Sequence, residues 1–588
     1  MQATRHFVKQ NNIYLIYCFI VFFMAQLLYA LAHAGFYTNY YSALTQVATA
    51  IPAIDVIHQH FWQSLYYYHI APPLYFLYAF GFALLFPPDG QLGIYILHTI
   101  LGLLAVYALY RVQERLGINK KLAVFLITLF LLSPSFNLYQ TMGWYDFPVA
   151  CLLLISTWCF IQLYDAPSFK RGCVFFGIIA LLCGIRSLYH VNLYFVPLII
   201  LTLFFIKVNR KQVLLSCLIP FIFVFSMYFK NYMLFDAFTI NSFSGEVFAN
   251  VAMQFGLTLE QRQQGVAQGY FSELALCPQS ADTIPFKMKN MAYDGLYCYK
   301  VIAEKYRQHY IQTLGRDYKN IPILNTIPGS FYPQRNVLGN IGMDQEYQKN
   351  AIQSLKHFPL VYLKSVLNSW RIYFVDSPDY FYQNMVNIRH LPESLRMNLW
   401  SYNHVFHKLI YNKSDVVSVA LLCIYPFLII FSLGYFLFAR AGLVIFSFIY
   451  WLFVLPGMIH YLNLFVAIHI FNGSIQSKMV VCLLTFTGFL AALMILFRST
   501  LSLLAKKKRA VHYQRLITPP FEAGKRVFVF YLFSNITFTT MIINFIAANE
   551  QQRYRFYIDG LYLIIFGLMI QTLFCKPEKI ITQKLELP

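Results

Sequence analysis

The chain has 588 residues, of which 59% are hydrophobic and 12% are charged, and its net charge is +21. Soluble domains carry about 25% charged residues, so this composition excludes an ordinary soluble enzyme, a coiled coil and a disordered chain. The basic excess would suit a nucleic-acid-binding protein, but most Lys and Arg residues stand in short loops between apolar runs. That pattern is typical of the cytoplasmic loops of membrane proteins, and we expect no nucleic-acid partner.

The first apolar run, residues 13–35, follows Arg5 and Lys9 and is too long for the core of a signal peptide. We expect it to remain as a membrane-spanning helix with its N-terminus in the cytoplasm. Further apolar runs follow in two groups. They are residues 71–87, 92–112, 122–134, 147–164, 173–185, 191–206 and 213–233, then 416–438, 443–458, 479–497, 527–547 and 557–574.

The loops 111–121, 165–171 and 207–211, Arg440 and the segment 498–526 are basic, which places them all in the cytoplasm. The runs 71–87 and 92–112 then cannot both cross the membrane. Proline pairs open and close the first of these runs, so we expect it to be a re-entrant or interfacial helix. The predicted fold is an α-helical polytopic membrane protein with about twelve spans and both ends in the cytoplasm.

This topology predicts three parts: an N-terminal transmembrane module (1–233) with an outside loop at 36–70, an extracytoplasmic domain (234–415) and a C-terminal transmembrane module (416–588). Strand signals in the large middle domain are thin, so we expect mainly helices and irregular segments. Its two cysteines, Cys277 and Cys298, predict one disulfide, with two free thiols as the alternative. The cysteine spacings do not indicate a zinc site.

Ionisable side chains at the outside edge of the membrane are candidates for function, because placing them there is costly. The acidic candidates are Asp55, Asp146, Glu246 and Glu550. The basic candidates are His69, Arg186, Lys230, Arg553 and Arg555. Several of them stand in short motifs: His69 precedes Pro-Pro-Leu-Tyr, Lys230 precedes Asn, and Glu550 opens the run Glu-Gln-Gln-Arg-Tyr-Arg.

The order of these motifs resembles the GT-C glycosyltransferases, in particular the protein O-mannosyltransferases and the lipid A aminoarabinose transferases. The resemblance rests on an acid in the first outside loop, the Pro-Pro-Leu-Tyr run, a second outside Asp, a basic-Asn pair and the Glu-x-x-Arg-Tyr-Arg run. The chain departs from the family pattern in four respects, one of which is a short spacing between Asp55 and Pro72. Val56 follows Asp55 where a second acid is usual, two residues separate His69 from Pro72, and Lys230 replaces an Arg.

The resemblance implies an inverting transfer of a sugar from a polyprenyl-phosphate donor to an acceptor hydroxyl, outside the membrane. Asp55 would be the general base, and Asp146 would orient the acceptor or hold a divalent metal ion together with Asp55. Arg553, Arg555, Lys230, His69 and Arg186 would bind the donor phosphate, supported by Glu550 and Glu246. No cofactor other than that metal ion is implied. The acceptor would be a protein, a glycan or a lipid.

Each candidate also has a structural explanation. Asp146 precedes Pro148 as a helix N-cap would, the arginines suit the membrane interface, and a lone His is more often a packed core residue. Other functions also stay open: a flippase or transporter for a lipid-linked saccharide, a polysaccharide polymerase or ligase, and a membrane scaffold. We expect a bacterial inner membrane with the site facing the periplasm, in preference to the endoplasmic reticulum.

Overall fold

A computed structural model describes residues 2–32, 59–86, 91–141, 145–254, 256–277, 303–314, 318, 321–324, 338–374, 428–429, 432, 520–546 and 551–574. All regular secondary structure in these ranges is helical. The first helices are α1 (Gln2–Ala32), α2 (Phe61–Tyr66), α3 (Pro73–Phe76), α4 (Phe82–Leu85), α5 (Gln91–Arg115), α6 (Lys120–Leu131), α7 (Pro134–Thr141), α8 (Asp146–Asp165), α9 (Phe169–Ile185), α10 (Val196–Phe205) and α11 (Arg210–Phe235).

The later helices are α12 (Ser244–Ala249), α13 (Leu259–Ala267), α14 (Ala303–Leu314), α15 (Leu338–His357), α16 (Pro359–Phe374), α17 (Pro520–Ile546) and α18 (Gln551–Phe574). Short π-helical segments join α3 to α4 (Leu77–Gly81), precede α10 (Val191–Phe195) and follow α12 (Asn250–Gln254). Two 3-10 turns lie at Glu273–Leu276 and Pro322–Leu324.

Helix α8 lies at the centre of the bundle, where it packs against α5, α9, α17 and α18. Its boundaries follow from local chemistry. Asp146 stands in the first turn, where a carboxylate interacts favourably with the helix dipole, and Pro167 follows the end of the helix. Aromatic stacking joins α8 to α17, since the rings of Phe160 and Tyr531 lie 4.2 Å apart and nearly parallel.

Four of the described helices are long and apolar enough to cross a membrane: Leu92–Arg115, Asp146–Asp165, Arg210–Phe235 and Gly524–Ile546. Their outward faces are apolar as well. On α5, Leu92, Ile96, Ile100 and Leu104 recur every four residues and are all exposed. A continuous apolar stripe of this kind is unfavourable in water and suits lipid. The described chain therefore has the features of a helical membrane protein.

The expected count of about twelve spans is not met among the described residues. The runs 122–134 and 173–185 form α6 and α9, which have 12 and 17 residues and are short for a span of about 20 residues. The run 191–206 gives the shorter apolar stretch Val191–Phe205, whereas the run 13–35 lies largely in the 31-residue helix α1, in which Ile13–Leu28 is the described apolar part. In the described part of the chain, apolar runs therefore overestimated the count, because helices packed inside a bundle are as apolar as helices that cross the membrane.

Of the other predicted spans, 416–438 is described only at residues 428–429 and 432, and 443–458 and 479–497 lie outside the described residues. The run 71–87 forms a short broken helix from Pro73 to Leu85. At 1.5 Å per residue it reaches about 20 Å, which is less than the hydrocarbon thickness of about 30 Å.

Three of the predicted cytoplasmic loops meet at one end of the described bundle, which we call the basic end. Arg115 at the end of α5 forms an ion pair with Asp165 at the end of α8, with 2.9 Å between nitrogen and oxygen. The Asn209 side chain donates to the Pro167 carbonyl at 3.0 Å. The backbone N–H of Asn119 donates to Gln571 near the end of α18, also at 3.0 Å. These contacts bring the loops 111–121, 165–171 and 207–211 together.

In the segment 234–415, the described helices α12, α14 and α15 pack on one another. Side chains of α15 hold the neighbouring loops, since Asn350 accepts from the backbone of Ser272 and Ser354 donates to the carbonyl of Ala252. Cys277 is buried and disulfide-bonded. Cys298 lies outside the described residues, so the Cys277–Cys298 pairing stays a prediction.

The contact between α9 and α11 depends on Gly172, because a Cβ there would lie 1.9 Å from the Ser216 Oγ and 2.7 Å from its Cβ. We expect Gly172→Val to cost about 1–3 kcal/mol of stability through overpacking, and to lower the thermal unfolding midpoint in detergent. Gly177 on the same helix is the matched control, since a Cβ there meets nothing within 4 Å. Gly177→Ala should leave the midpoint unchanged or raise it. Equal midpoints for both variants would contradict the close approach.

Candidate functional site

Asp146, Arg186 and Arg555 lie at the end of the bundle that is opposite the basic end. Asp146 is the first residue of α8, whereas Asp165, which pairs with Arg115, is its last. The 20 residues of α8 separate the two ends by about 30 Å. Arg186 follows the last residue of α9, and Arg555 lies in the second turn of α18. Helix order alone therefore brings three of the predicted residues to one end.

The Asp146 side chain is fully buried and is held by α18. Its Oδ1 accepts a hydrogen bond of 2.5 Å from the hydroxyl of Tyr557, which is 1% exposed. The N-cap position of α8 belongs to Tyr145 and carries no side-chain cap, so Asp146 is not the N-cap that the sequence allowed. The carboxylate therefore faces the bundle and contacts a residue 411 positions later in the chain.

The guanidinium of Arg186 lies between two tyrosine rings. Its central carbon is 4.4 Å from the ring centre of Tyr145 and 4.9 Å from that of Tyr554. Its Nη1 also donates a hydrogen bond to the Tyr145 hydroxyl. Cation–π contacts stabilise a guanidinium at a fixed place. Because Tyr145 precedes Asp146, the cation is held next to the start of α8.

Arg555 is 4% exposed and contacts the protein on two sides. Its Nε lies 3.4 Å from Oδ1 of Asp559, one turn further along α18, and its Nη1 donates to the Tyr373 carbonyl at 3.5 Å. A carboxylate therefore already stands beside this cation. Arg553 lies in the first turn of α18, but its side chain, Glu550 and Asp55 are all outside the described residues.

His69 and Lys230 lie in a second group of contacts, where α11 meets the loop after α2. Lys230 Nζ donates to the carbonyl of Tyr68 at 2.7 Å. His69 Nδ1 lies 2.6 Å from the Ser242 hydroxyl, and the backbone N–H of Ser242 donates back to the His69 carbonyl at 3.0 Å. These contacts fasten residues 68–69 to both ends of the 230–242 segment. Their predicted role in phosphate binding stays a prediction.

The Pro-Pro-Leu-Tyr run connects the two groups of residues. Leu74 packs against Gly184 so closely that a Cβ there would lie 2.5 Å from Leu74 Cδ1. The Tyr75 ring lies 4.9 Å from the ring of Tyr145, in an edge-on arrangement. The run therefore stands beside the tyrosine that holds Arg186. Of the sequence motifs, the structure brings together Pro-Pro-Leu-Tyr, Tyr145-Asp146, Arg186 and the run at 554–557.

Tyr557 and His98 are two buried polar residues that the sequence reasoning missed. His98 is fully buried in α5, with Nδ1 at 2.6 Å from the carbonyl of Gln140 and Nε2 at 2.6 Å from the hydroxyl of Tyr78. A carbonyl only accepts, so in the neutral ring Nδ1 carries the proton and Nε2 accepts from Tyr78. A histidine inside an apolar run could have been recognised from the sequence as a candidate buried polar residue. Tyr557 could not have been singled out in this way, because tyrosine is common at membrane interfaces.

Glu246 belongs to a pair of buried acids in the segment 234–415. It is 7% exposed and stands in the first turn of α12. Asp344 Oδ1 accepts from the backbone N–H of Gly245 at 2.6 Å and of Glu246 at 3.2 Å. Gly245 permits this approach, since a Cβ there would lie 2.0 Å from the Asp344 carbonyl oxygen. Burial, together with the nearby charge of Glu246, raises the pKa of Asp344 to about 7, although the hydrogen bonds from the two backbone N–H groups oppose the rise.

A divalent metal ion was a possible cofactor. Among the described residues, no group of three or more His, Cys, Asp or Glu side chains is placed to hold a metal ion. The predicted partner of Asp146, namely Asp55, lies outside that part of the chain. The metal hypothesis therefore stays a prediction.

Asp344 makes the stability of the protein depend on pH. The pKa of its carboxyl is about 7 in the folded chain, against about 3.9 in an unfolded chain. Between these values the folded state binds the proton and the unfolded state does not, so stability falls as pH rises from about 4 to about 7.

Asp344→Asn keeps an oxygen acceptor for the two N–H groups but does not titrate. We expect the variant to gain a few kcal/mol relative to the wild type between pH 4 and pH 8. Unfolding midpoints measured across this range would show it. If the unfolding midpoints of the two proteins change with pH in the same way, the raised pKa of Asp344 is contradicted.

The contact between Tyr557 and Asp146 can be measured by a double-mutant cycle. Removal of a hydroxyl that donates to a buried carboxylate costs about 1–3 kcal/mol. We expect Tyr557→Phe and Asp146→Asn each to lower the unfolding midpoint, and the double variant to lose less than the sum of the two. Additive losses would show that the two side chains do not interact.

We compared the chain with protein families and known structures, and no family model, curated protein or solved structure matches it.

Proposed function

We propose that the protein is a membrane glycosyltransferase of the GT-C type, which inverts the sugar carbon as it transfers a sugar from a polyprenyl-phosphate donor to an acceptor hydroxyl. The observation that supports this most is that a buried carboxylate, Asp146, and a tyrosine-held cation, Arg186, lie at the same end of apolar helices. An acid and a fixed cation at the membrane edge are what this reaction needs.

In this reaction the acceptor oxygen attacks the sugar carbon, and the bond from that carbon to the phosphate oxygen breaks. A carboxylate takes the proton from the acceptor hydroxyl. The leaving polyprenyl phosphate gains negative charge, which a cation stabilises. We assign the proton acceptor to Asp55, from the family resemblance, and the orientation of the acceptor to Asp146. A divalent metal ion between these two acids would help to orient the acceptor.

We assign the leaving phosphate first to Arg186. The Arg186 side chain is only half-buried, so a ligand can reach it, whereas Arg555 is 4% exposed and lies beside the carboxylate of Asp559. A guanidinium can give two parallel hydrogen bonds to a phosphate. Arg553, Arg555, Lys230 and His69 would add positive potential around this place.

The proposed setting is a membrane that is crossed by several helices, with Asp146 on the side opposite the basic end. The positive-inside rule assigns the basic end to the cytoplasm. The candidate site would then face the periplasm, if the membrane is a bacterial inner membrane. Donor lipid would reach it from the bilayer, and a protein, glycan or lipid acceptor would reach it from outside.

The test is sugar transfer in membranes, with a panel of radiolabelled polyprenyl-phosphate sugars. We expect the wild type to use one donor, and Asp146→Asn to lower the rate by about 100-fold, because a misplacement of about 1 Å in an oriented acceptor costs that much. Arg186→Gln should lower the rate through weaker stabilisation of the leaving phosphate. Asp165→Asn is the matched control, because Asp165 ends the same helix at the basic end. It should keep the wild-type rate.

Other outcomes separate the alternatives. Transfer that survives Asp55→Asn would move the base to Asp146, and transfer that survives both changes would contradict the proposed site. If no donor is used by folded wild type, the enzyme hypothesis fails. Movement of a lipid-linked saccharide across vesicles without bond formation would then identify a flippase.

A further inference from the structure

Two consecutive helices of the segment 234–415 expose opposite kinds of side chain. Helix α15 exposes polar residues, among them Gln348 and Lys349. Helix α16 exposes Leu360, Leu363 and Leu367, whose side chains are 79%, 50% and 61% accessible. Since α15 ends at His357 and α16 begins at Pro359, the change takes place within two residues.

The exposed face of α16 is more apolar than that of a helix on a water-facing surface. The three exposed leucines recur at helical spacing and lie on one face. The buried residues are mixed, since Ser365 and Ser369 are 7% and 4% exposed and Val366 is 3% exposed. A surface helix in water has mainly polar residues outside, so the exposed leucines of α16 fit an apolar surrounding medium.

The small inner residues also allow close packing. A Cβ at Gly256 would lie 2.4 Å from Val361 Cγ1 and 2.8 Å from the Ser365 Oγ. Gly256 stands in a turn, so the inner face of α16 lies close against a loop of the segment 234–415.

The leucine face continues a surface that suits lipid. Helix α16 packs on α17 and α18, and the Tyr362 hydroxyl donates to the Phe545 carbonyl of α17 at 2.8 Å. Helix α17 contains one of the four helices that are long and apolar enough to cross a membrane, and its Met541 and Phe545 are 41% and 37% exposed. The exposed leucines are therefore next to the outward face of a candidate span.

We propose that α16 is inserted into the membrane at the end that carries Asp146, with Leu360, Leu363 and Leu367 in contact with lipid acyl chains. The boundary between water and lipid then crosses the chain between α15 and α16. The described 16 residues make a helix of about 24 Å, which is long enough to enter a hydrocarbon core of about 30 Å deeply. The exposed Lys364 can reach the headgroups along its apolar stem.

The test uses nitroxide labels on the full-length protein in phosphatidylcholine vesicles. Leu363→Cys and Leu367→Cys carry the label on α16, and Gln348→Cys on α15 is the matched control. All three positions are exposed, so the label needs no repacking. The signal from labelled native cysteines is measured on protein without an introduced cysteine and is then subtracted. Each variant must also elute from a sizing column like the wild type.

Oxygen concentrates in lipid, and a nickel chelate stays in water. At positions 363 and 367 we expect oxygen to relax the label several-fold more strongly than the chelate, and at position 348 the reverse. The proposal is wrong if the α16 labels respond to the chelate as position 348 does, because the helix then faces water. It is also wrong if neither reagent reaches them, because protein then covers the leucine face. Neither result depends on sugar transfer, so this inference and the proposed function can fail separately.

Discussion

The hydrogen bond between Tyr557 and Asp146 joins the last described helix to the middle of the bundle, and the candidate site is arranged around it. Asp146 is fully buried, and a buried carboxylate is costly unless donors surround it. Helix α18 supplies such a donor in Tyr557. This contact sets the rotation of α18 about its axis, and so it also sets where Tyr554 and Arg555 stand relative to Arg186.

Aromatic rings hold the cation Arg186 in place, a role that carboxylates often have in soluble proteins. Arg186 is held between Tyr145 and Tyr554, and Tyr75 places the Pro-Pro-Leu-Tyr run against Tyr145. A ring can stabilise a guanidinium without adding a second charge to the apolar interior. Arg555 differs in its surroundings, because it is 4% exposed and lies beside Asp559. Arg186 is only half-buried, and this accessibility makes it the better candidate for a phosphate contact.

The sequence predicted some features of the fold well. The run 147–164 matches Asp146–Asp165 closely, and the run 213–233 lies within Arg210–Phe235, because basic or polar residues bound both runs. Charge also predicted which loops meet, as the ion pair between Arg115 and Asp165 illustrates. The span count was wrong for a physical reason. Hydropathy measures the apolar character of a segment, and a buried helix such as α6 needs that character as much as a lipid-facing helix does.

The candidate site was partly predictable. Asp146, Arg186 and Arg555 were chosen because a charge near lipid is costly, and the structure places all three at one end of the bundle. The partners that hold them were not predictable, because Tyr557, Tyr554 and Tyr373 are neutral aromatic residues in a chain rich in tyrosine. Which tyrosine faces a carboxylate depends on how distant helices rotate against each other, and a single sequence does not carry that information.

Helix α16 shows how lipid and site are connected. Its outer face carries the exposed leucines, and its C-terminal end carries Tyr373, whose carbonyl accepts from Arg555 and whose hydroxyl lies 3.2 Å from Thr540 Oγ1 of α17. One short helix therefore contacts both the apolar surface and a buried cation. If that surface is lipid, the bilayer comes within one helix diameter, about 10 Å, of the candidate site. A substrate with an apolar tail and a phosphate head could then keep its tail in lipid while its head reaches the cations. A wholly water-soluble donor has no apolar tail, so the nearby lipid would not help to bind it.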